Sequence, residues 1–299
     1  MEILSIEGLH KSFGDKQVLR GLDLSIPENS IYGFVGRNGA GKTTTMKMML
    51  GLLPCDSGEI RICGERVTYG QSPTNRYVGY LPDVPVFYPF LTAREYLSLC
   101  GESLHLTKSE CKERSEELLS LVGLSNERRR IKGFSRGMKQ RLGVAQALLS
   151  KPQLLICDEP SSALDPIGRR EILDLLLRVK EQTTILFSTH LLSDVERICT
   201  DVAFLHDGKI ALSGKVDDLR RRYGAEEFSI EMADESGYRF ASETFSDAVF
   251  SEGLKLVFRG DERRAYEVLD RLRGERHSIR SFARSDASLE ALFMEVVGK

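Results

Sequence analysis

The chain has 299 residues and a formal net charge of -2. This balance supplies no global basic field for holding DNA or RNA, so we expect no nucleic-acid partner. The six cysteines lack C-x-x-C spacing, the N-terminus lacks a basic-then-apolar signal segment, and no apolar run reaches the roughly 18 to 20 residues of a membrane span. We therefore expect free thiols in a reducing cytosol, and any role at a membrane requires a partner.

The N-terminal part of the chain predicts strands, then a loop and a helix. Alternation in "EILSIEGL" and "LDLSI" predicts two strands, and the continuous apolar run "SIYGFVG" predicts a strand buried on both faces. A glycine-rich loop then leads into the helical segment "KTTTMKMMLGLL", for which Gly51 is a suitable C-terminal cap.

Helical patterns dominate from about Pro82 to Ser150, in "TAREYLSLC", "KSECKERSEELLSLVGL" and "MKQRLGVAQALLS". Parallel-sheet character returns in "QLLICDEP" and "TTILFSTH". Between these two strands we predict a helix with Asp165 as N-cap and Pro166 at its first position. Its apolar face is formed by Ile172, Leu175, Leu176 and Val179.

The C-terminal part predicts a hairpin and then a separate small domain. "DVAFLHDGKIALSG" predicts a β-hairpin that turns at Asp207 and Gly208. After about Tyr223, candidate strands ("EEFSIEMA", "GLKLVFRG", "SIRSFARS") mix with two candidate helices ("ERRAYEVLDRLRG", "SLEALFMEVV"). We predict an α/β domain over residues 1–222, with a helical subdomain at about 83–150, and a small α+β accessory domain over residues 223–299.

The strongest chemical signal is "GRNGAGKT", which fits the phosphate-loop pattern G-x-x-x-x-G-K-[ST]. Its glycines let backbone N–H groups curl around phosphate oxygens, Lys42 reaches the outer phosphates, and the Thr43 hydroxyl suits a magnesium ion. The buried strand before the loop and the helix after it favour this function over a purely structural glycine-rich turn. We predict that the nucleotide is bound by Gly36, Arg37, Asn38, Gly39, Ala40, Gly41, Lys42, Thr43 and Thr44.

A second signal is the apolar strand "LLICDEP", which ends in two adjacent carboxylates. Because side chains alternate along a strand, two adjacent acids can serve separate roles. We predict that Asp158 holds magnesium and that Glu159 is the general base for the attacking water. The alternative is that both acids only cap the following turn. His190, at the end of "FSTH", suits a hydrogen bond to a terminal phosphate, although a lone histidine there is more often structural.

With these motifs in this order, roughly residues 1–222 resemble the nucleotide-binding subunit of ATP-binding cassette (ABC) transporters. The resemblance implies a P-loop NTPase core, with a mixed sheet and an antiparallel β subdomain, and a helical subdomain. It also implies ATP and Mg²⁺ as cofactors and ATP hydrolysis as the activity. Lys42, Glu159 and His190 are the implied catalytic residues, and Thr43 and Asp158 the implied metal ligands.

Further residues match the family by position. Phe13 matches the aromatic residue that stacks on adenine, and "SALD", Ser162 to Asp165, matches the loop after the carboxylates, which assigns Asp165 to the nucleotide site. Most relatives have Gln where this chain has Asp83, at the joint between the core and the helical subdomain. In those relatives, the Gln contacts magnesium and transmits the nucleotide state to the membrane partner. The Asp83 oxygen suits the same metal, so we expect it to act in catalysis and metal binding.

The family signature usually reads L-S-G-G-Q, and "FSRGM" keeps its Ser and Gly as Ser135 and Gly137 before a helix. A helix N-terminus with a hydroxyl and free amides binds phosphate. In the family, this site binds ATP that is held by the phosphate loop of a second subunit, so the resemblance implies a homodimer with ATP between its subunits. Arg136 and Met138 replace the usual Gly and Gln, and this variant resembles the one in exporters of drugs or antimicrobial peptides.

The ending "DASLEALFMEVVGK" resembles ATPase subunits of two-component exporters, although a generic amphipathic terminal helix has a similar pattern. The resemblance implies a separate transmembrane permease and a peripheral location on the inner face of the cell membrane, with a bacitracin or lantibiotic-type peptide as substrate. The alternative is a soluble ABC ATPase that acts on ribosomes or DNA. Such proteins usually carry two cassettes or a long coiled coil, which this sequence lacks. The intact Lys42, Asp158, Glu159 and His190 argue against a catalytically silent cassette.

Overall fold

The computed structural model describes residues 2–223, 227–246, 248–251, 253–285, 289 and 292–293. The chain divides into two compact units, Met1–Val216 and Asp217–Lys299. Each of them has its own hydrophobic core.

The first unit contains both strands and helices. Two short 3-10 helices, Pro73–Tyr77 and Ile131–Gly133, lie among them. The other elements are β1 (Glu2–Phe13), β2 (Lys16–Pro27), β3 (Ile31–Gly36), α1 (Lys42–Met49), β4 (Ser57–Ile62), β5 (Glu65–Arg66), β6 (Val78–Leu81), α2 (Ala93–Ser103), α3 (Lys108–Leu121), α4 (Arg136–Ala147), β7 (Leu154–Cys157), α5 (Pro166–Val179), β8 (Thr184–Thr189), α6 (Leu192–Ile198), β9 (Asp201–His206) and β10 (Lys209–Lys215).

A mostly parallel sheet supports the site. Its strand order is β10-β9-β3-β8-β7-β6, and only the β9–β10 pair is antiparallel. β3, β7 and β8 are buried along their whole length, which confirms the predicted buried strands. Val35 pairs with Thr189 and Cys157 pairs with Phe187, so the loops after β3, β7 and β8 leave the same edge of the sheet. Ligands of parallel sheets bind at this carboxyl edge.

The predicted hairpin and the predicted caps are also present. Asp207 and Gly208 have φ angles of 46° and 74° and join β9 to β10, as a tight hairpin turn requires. Gly51 follows α1 with φ 68°, and its neighbour Leu52 donates its N–H to the carbonyl oxygen of Lys47 at 2.8 Å, so the helix ends in a glycine-dependent cap.

An antiparallel sheet with the order β2-β1-β4-β5 packs against the parallel one. β1 and β2 each run for 12 residues, longer than the alternating segments predicted, and bulges bend the pairing between them. Leu4, Ile6 and Leu9 of β1 share a core cluster with Phe34 of β3 and Ile156 of β7. The two sheets therefore bury one common apolar layer.

Helices α2, α3 and α4 occupy the stretch from about 83 to 150 that was predicted to be helical. α2 and α3 each begin with a capping box, Thr92 with Glu95 and Thr107 with Glu110. In α5, Asp165 accepts the Gly168 N–H at 2.8 Å, which confirms its prediction as N-cap. The predicted apolar face of α5 is buried. Among the described residues, no helix combines the length and apolar character of a membrane span.

The second unit has the pattern βαββαβ after a boundary helix. Its elements are α7 (Val216–Tyr223), β11 (Glu227–Met232), α8 (Glu235–Thr244), β12 (Val249–Ser251), β13 (Lys255–Arg259), α9 (Glu262–Gly274) and β14 (Ile279–Ser285). The strands form an antiparallel sheet with the order β12-β13-β11-β14. Apolar side chains of α8 and α9 share its core, among them Ala241, Val268 and Leu272.

Within the βαββαβ part of this unit, two elements were not predicted, α8 and β12. The α8 segment "ESGYRFASET" is mostly polar and contains Gly237, which lowers its helix propensity. A Cβ on Gly237 would lie 2.6 Å from Met232 Cε, so the glycine permits close packing of the helix on β11. Tertiary packing, rather than local propensity, stabilises this helix. Most of the helix predicted in 288–297 lies outside the described residues.

Candidate nucleotide-binding and hydrolytic site

A cavity of about 580 Å³ opens at the carboxyl edge of the parallel sheet. It brings together residues from the loops after β3, β6, β7 and β8 and from the β1–β2 hairpin, which are far apart in the sequence. Its lining comprises Phe13, Lys16, Val18, Asn38, Gly39, Gly41, Lys42, Thr43, Thr44, Asp83, Asp158, Glu159, Ser162 and His190.

The phosphate loop surrounds the base of this cavity. Gly39 and Gly41 have φ angles of 83° and 112°, in the region that side chains disfavour. A Cβ on Gly41 would also lie only 2.9 Å from Leu19 Cδ2. The Lys42 side chain is nearly buried, and its ammonium donates to the carbonyl oxygen of Gly36 at 2.7 Å. The predicted loop residues Gly36, Arg37 and Ala40 shape the loop but do not line the cavity.

Both oxygens of the Asp158 carboxylate have fixed partners. Asp158 is 4% exposed and follows β7 directly. Its Oδ2 accepts the Thr43 hydroxyl at 2.8 Å, and its Oδ1 accepts the Ser188 hydroxyl at 2.7 Å. The predicted metal ligands Thr43 and Asp158 are therefore neighbours although 115 positions separate them in the chain.

Glu159 lies between a cation and an imidazole. Its Oε1 forms an ion pair with Lys42 Nζ at 3.2 Å that lacks hydrogen-bond alignment, and its Oε2 lies 2.9 Å from His190 Nδ1. The backbone of Glu159 has φ 47°, in the left-handed region that is unfavourable for a residue with a side chain. Its N–H donates to the Ser188 hydroxyl at 2.9 Å. Two of the other predicted catalytic residues, Lys42 and His190, thus both contact Glu159.

Asp83 lies in the wall of the same cavity, just after β6. Its Oδ1 accepts the Ser162 hydroxyl at 2.8 Å, which joins this loop to the loop after the carboxylates. Burial, with smaller contributions from nearby Asp158, Cys157 and Asp83, raises the pKa of the Tyr80 hydroxyl to about 12. The carboxylates of Asp83 and Asp158 both line the cavity, where they would attract a bound cation.

The open side of the cavity carries the predicted aromatic residue. Phe13 is 50% exposed at the end of β1, and Lys11 Nζ lies 5.5 Å from the centre of its ring. Lys11 is in turn paired with Asp56 at 2.8 Å. Our sequence reasoning missed Lys16 and Val18, which line the cavity beside Phe13. Their position could have indicated this, because β2 returns from Phe13 and starts at Lys16.

Besides Gly36, Arg37 and Ala40, three predicted site residues from other loops do not line this cavity: Ser135, Gly137 and Asp165. Ser135 is exposed and begins α4, where its hydroxyl accepts the Met138 N–H at 3.2 Å. Gly137 lies two residues further along, and a Cβ added to it would have open space around it. Asp165 caps α5 through Gly168.

The residues of the cavity fit a nucleotide with magnesium. The Lys42 ammonium lies inside the loop, where it donates to the Gly36 carbonyl oxygen, and the loop ends at the N-terminus of α1, which favours anions. Among the described residues, no group of three or more His, Cys, Asp or Glu side chains forms a metal cluster. Magnesium here would be held by the Thr43 hydroxyl and the Asp158 carboxylate and would need phosphate oxygens to complete its shell.

Comparison with protein families gives two matches along this chain. Residues 19–162 match the family described as ABC transporter. This range includes the phosphate loop, Asp158 and Glu159. Residues 214–297 match the family described as the C-terminal domain of DrrA1-3-like ATP-binding proteins.

Curated relatives and solved structures agree with these matches. An uncharacterized ABC transporter ATP-binding protein, YxlF of Bacillus subtilis, is 37% identical over 99% of both chains. The bacitracin transport ATP-binding protein BcrA of Bacillus licheniformis is 41% identical over 74% of this chain and 72% of its own. The linearmycin resistance ATP-binding protein LnrL of B. subtilis is 35% identical over 75% of this chain and 73% of its own. A structure of an ATP-binding subunit of an ABC transporter, with 33% identity, has a TM-score of 0.64 over 74% of this chain and 93% of that chain.

Proposed function

This chain belongs to the ABC transporter family of ATP-binding proteins and is an ATPase of that family, and we propose that it powers an exporter whose permease is a separate chain. The main support is the cavity at the carboxyl edge of the parallel sheet, where Lys42, Thr43, Asp158, Glu159 and His190 meet. The expectation that the ATPase serves a transporter, rather than ribosomes or DNA, is confirmed by its transport relatives.

In the proposed binding step, the phosphate loop and Lys42 hold the phosphates of ATP while Phe13 stacks on adenine. Lys42 is suited to this role because its ammonium lies inside the loop, 2.7 Å from the Gly36 carbonyl oxygen. Thr43 and Asp158 are the proposed protein ligands of Mg²⁺, and Asp83 is proposed to contact it from the opposite loop. When bound, Mg²⁺ neutralises phosphate charge during the transfer.

In the proposed hydrolytic step, Glu159 orients the attacking water and accepts its proton. One carboxylate oxygen faces Lys42 and the other faces His190, so the side chain is held from both sides. His190 is proposed to keep Glu159 in this orientation and to hydrogen-bond the terminal phosphate. A positioned general base of this kind contributes on the order of 100-fold to 10,000-fold in rate.

A second copy of the chain is the proposed source of the remaining phosphate contacts. Ser135, Gly137 and Asp165 lie outside the cavity of their own chain, and Ser135 is exposed. We propose that they contact ATP bound by the second copy, so that ATP holds the two copies together. Hydrolysis then removes a group that both surfaces share, which opens the dimer.

The permease is proposed to bind an apolar strip that directly follows Asp83. Val84, Val86, Tyr88 and Phe90 are 62%, 84%, 52% and 60% exposed, which is unusual for four large apolar side chains so close in sequence. Because Asp83 lines the cavity, the strip is covalently joined to a residue that is proposed to sense the bound nucleotide. Through the permease the chain is located at the inner face of the cell membrane.

The proposed cargo is a drug or an antimicrobial peptide. Two relatives that cover about three quarters of the chain are named for bacitracin transport and linearmycin resistance. The cargo is expected to contact the permease, so this part of the proposal rests on the relatives alone.

The test is to isolate tagged chain carrying Glu159→Gln from membranes in the presence of ATP and to identify the bound proteins. The substitution keeps the shape of the side chain but removes the base, so ATP should remain bound and hold two copies together. A multi-spanning membrane protein in the eluate is the expected result. Recovery of ribosomes or nucleic acid, without any membrane protein, would overturn the transport assignment.

A matched control separates permease binding from dimerisation. Glu159→Gln combined with Tyr88→Asp and Phe90→Asp should still form the ATP-dependent dimer, measured by light scattering after gel filtration, but should lose the membrane protein. If Glu159→Gln alone stays monomeric in saturating ATP, the proposed homodimer is wrong.

A further inference from the structure

One hydroxyl group lies between the two adjacent carboxylate residues. Ser188 is the second-to-last residue of β8 and is fully buried. Its hydroxyl donates to Asp158 Oδ1 at 2.7 Å and accepts the N–H of Glu159 at 2.9 Å. A single side chain thus contacts the carboxylate of one acid and the backbone of the next.

The register of the parallel sheet produces this contact. Cys157, the last residue of β7, pairs with Phe187 of β8, so Asp158, which directly follows β7, lies beside Ser188, the next residue of β8. A hydroxyl has one donor hydrogen and two acceptor lone pairs, so it can make both hydrogen bonds at once. An apolar side chain at this position would remove both of them.

The two hydrogen bonds restrain different parts of the site. The bond to Oδ1 fixes the Asp158 carboxylate, whose Oδ2 then faces the Thr43 hydroxyl at 2.8 Å. The bond from the Glu159 N–H supports a backbone with φ 47°, which is strained for glutamate. That backbone directs the Glu159 side chain between Lys42 and His190.

We propose that Ser188 is a positioning residue for ATP hydrolysis, which orients Asp158 toward the metal and holds Glu159 in its reactive position. The proposal rests on the proposed roles of those two acids. Ser188 does not line the cavity, so it acts through Asp158 and Glu159 rather than on the substrate.

The test compares full-length Ser188→Ala and Ser188→Thr with the unchanged chain. Three quantities are measured: ATP affinity in EDTA by calorimetry, Mn²⁺ affinity in the presence of ATP by electron paramagnetic resonance, and kcat of ATP hydrolysis. Ser188→Ala should leave metal-free ATP affinity within about twofold, because the phosphate loop is untouched. It should weaken Mn²⁺ binding and lower kcat, each by roughly tenfold or more, as expected when two buried hydrogen bonds are lost. Ser188→Thr keeps the hydroxyl and should retain most of the Mn²⁺ affinity and most of the kcat.

The matched control is Ser72→Ala. Ser72 is also buried, its hydroxyl lies 2.6 Å from the Thr74 hydroxyl and 3.2 Å from the Thr68 N–H, and it is outside the cavity lining. Normal kcat and Mn²⁺ affinity in Ser188→Ala, or equal losses in Ser188→Ala and Ser72→Ala, would overturn the proposal. Full hydrolysis by Glu159→Gln would instead overturn the assignment of the base, so the two failures are distinguishable.

Discussion

His190 Nδ1 lies 2.9 Å from Oε2 of Glu159, and this contact joins the ends of two neighbouring strands, β7 and β8. On its other side, Glu159 faces Lys42 of the phosphate loop at 3.2 Å. The contact is formed by the parallel packing of β3, β8 and β7, so the sheet determines which residues reach the proposed base.

His190→Ala is expected to lower kcat on the order of a hundredfold, because Glu159 loses the partner of one carboxylate oxygen. ATP affinity should change little, since Lys42 and the phosphate loop stay intact. Steady-state hydrolysis and equilibrium ATP binding measure the two effects. The matched control is His206→Ala, because His206 ends β9 outside the cavity lining. A loss of ATP affinity as large as the loss of kcat would contradict the assigned role.

Phe13→Ala is expected to weaken ATP binding by about tenfold, because an aromatic ring stacked on a base contributes about 1–3 kcal/mol. Phe13→Tyr keeps the ring and should bind normally, and kcat at saturating ATP should stay unchanged in both. Calorimetric titration measures the affinity. Tyr69→Ala removes an exposed ring that does not line the cavity and serves as control. Normal affinity in Phe13→Ala would show that this ring does not hold adenine.

Asp83→Ala is expected to lower kcat by roughly tenfold. The substitution removes a charge near the proposed metal and the acceptor of the Ser162 hydroxyl. Each lost interaction is worth about 1 kcal/mol. Asp83→Asn keeps that acceptor and should fall between Asp83→Ala and the unchanged chain. Hydrolysis measured against Mg²⁺ concentration separates the two contributions, since only loss of the charge should raise the Mg²⁺ requirement. Identical activity in all three proteins would rule out a role for Asp83.

Asp194→Ala is expected to lower the free energy of unfolding by about 2 kcal/mol, because it removes the buried acceptor of two hydrogen bonds, one of them from a charged arginine. Asp194 is 1% exposed, and its carboxylate accepts the Ser161 hydroxyl and the Arg169 Nε–H, each at 2.6 Å. Urea unfolding of the full chain measures the effect. The control, Asp174→Ala, removes an exposed ion pair with Arg197 and should cost no more than about 1 kcal/mol. Equal losses in both variants would contradict the prediction.

The capping boxes of α2 and α3 predict a pH dependence. Hydrogen bonds from Thr92 and Thr107 hold the pKa values of Glu95 and Glu110 below their usual range. A carboxylate with a lowered folded-state pKa stabilises the protein above its unfolded pKa, about 4.3, and loses this contribution as the pH falls through the folded value. The double variant Glu95→Gln, Glu110→Gln should therefore unfold at lower urea than the unchanged chain at pH 7. The difference should shrink below about pH 4. A constant difference across this range would contradict the role of the two charges.

Several features could be predicted from the sequence because they depend on neighbouring residues. The phosphate loop, the buried strands before Gly36 and Asp158, the cap at Asp165 and the turn at Asp207 and Gly208 are local patterns, and the structure confirms these elements. The family resemblance also followed from the order of such motifs. By contrast, α8 has a weak local pattern, and packing on β11 stabilises it, so the sequence did not reveal it.

The sequence by itself determined which chemical groups the chain carries and which strands and helices carry most of them, because hydrophobic period and motif spacing are set within short segments. Only the tertiary structure decided which of these groups touch. Ser188 contacts Asp158 from 30 positions away and Ser162 contacts Asp83 from 79, while Ser135 and Gly137 lie outside the cavity that Lys42, Asp158 and Glu159 line. Such contacts depend on strand order and register across the sheet, which arise from packing between distant segments and leave no local signature.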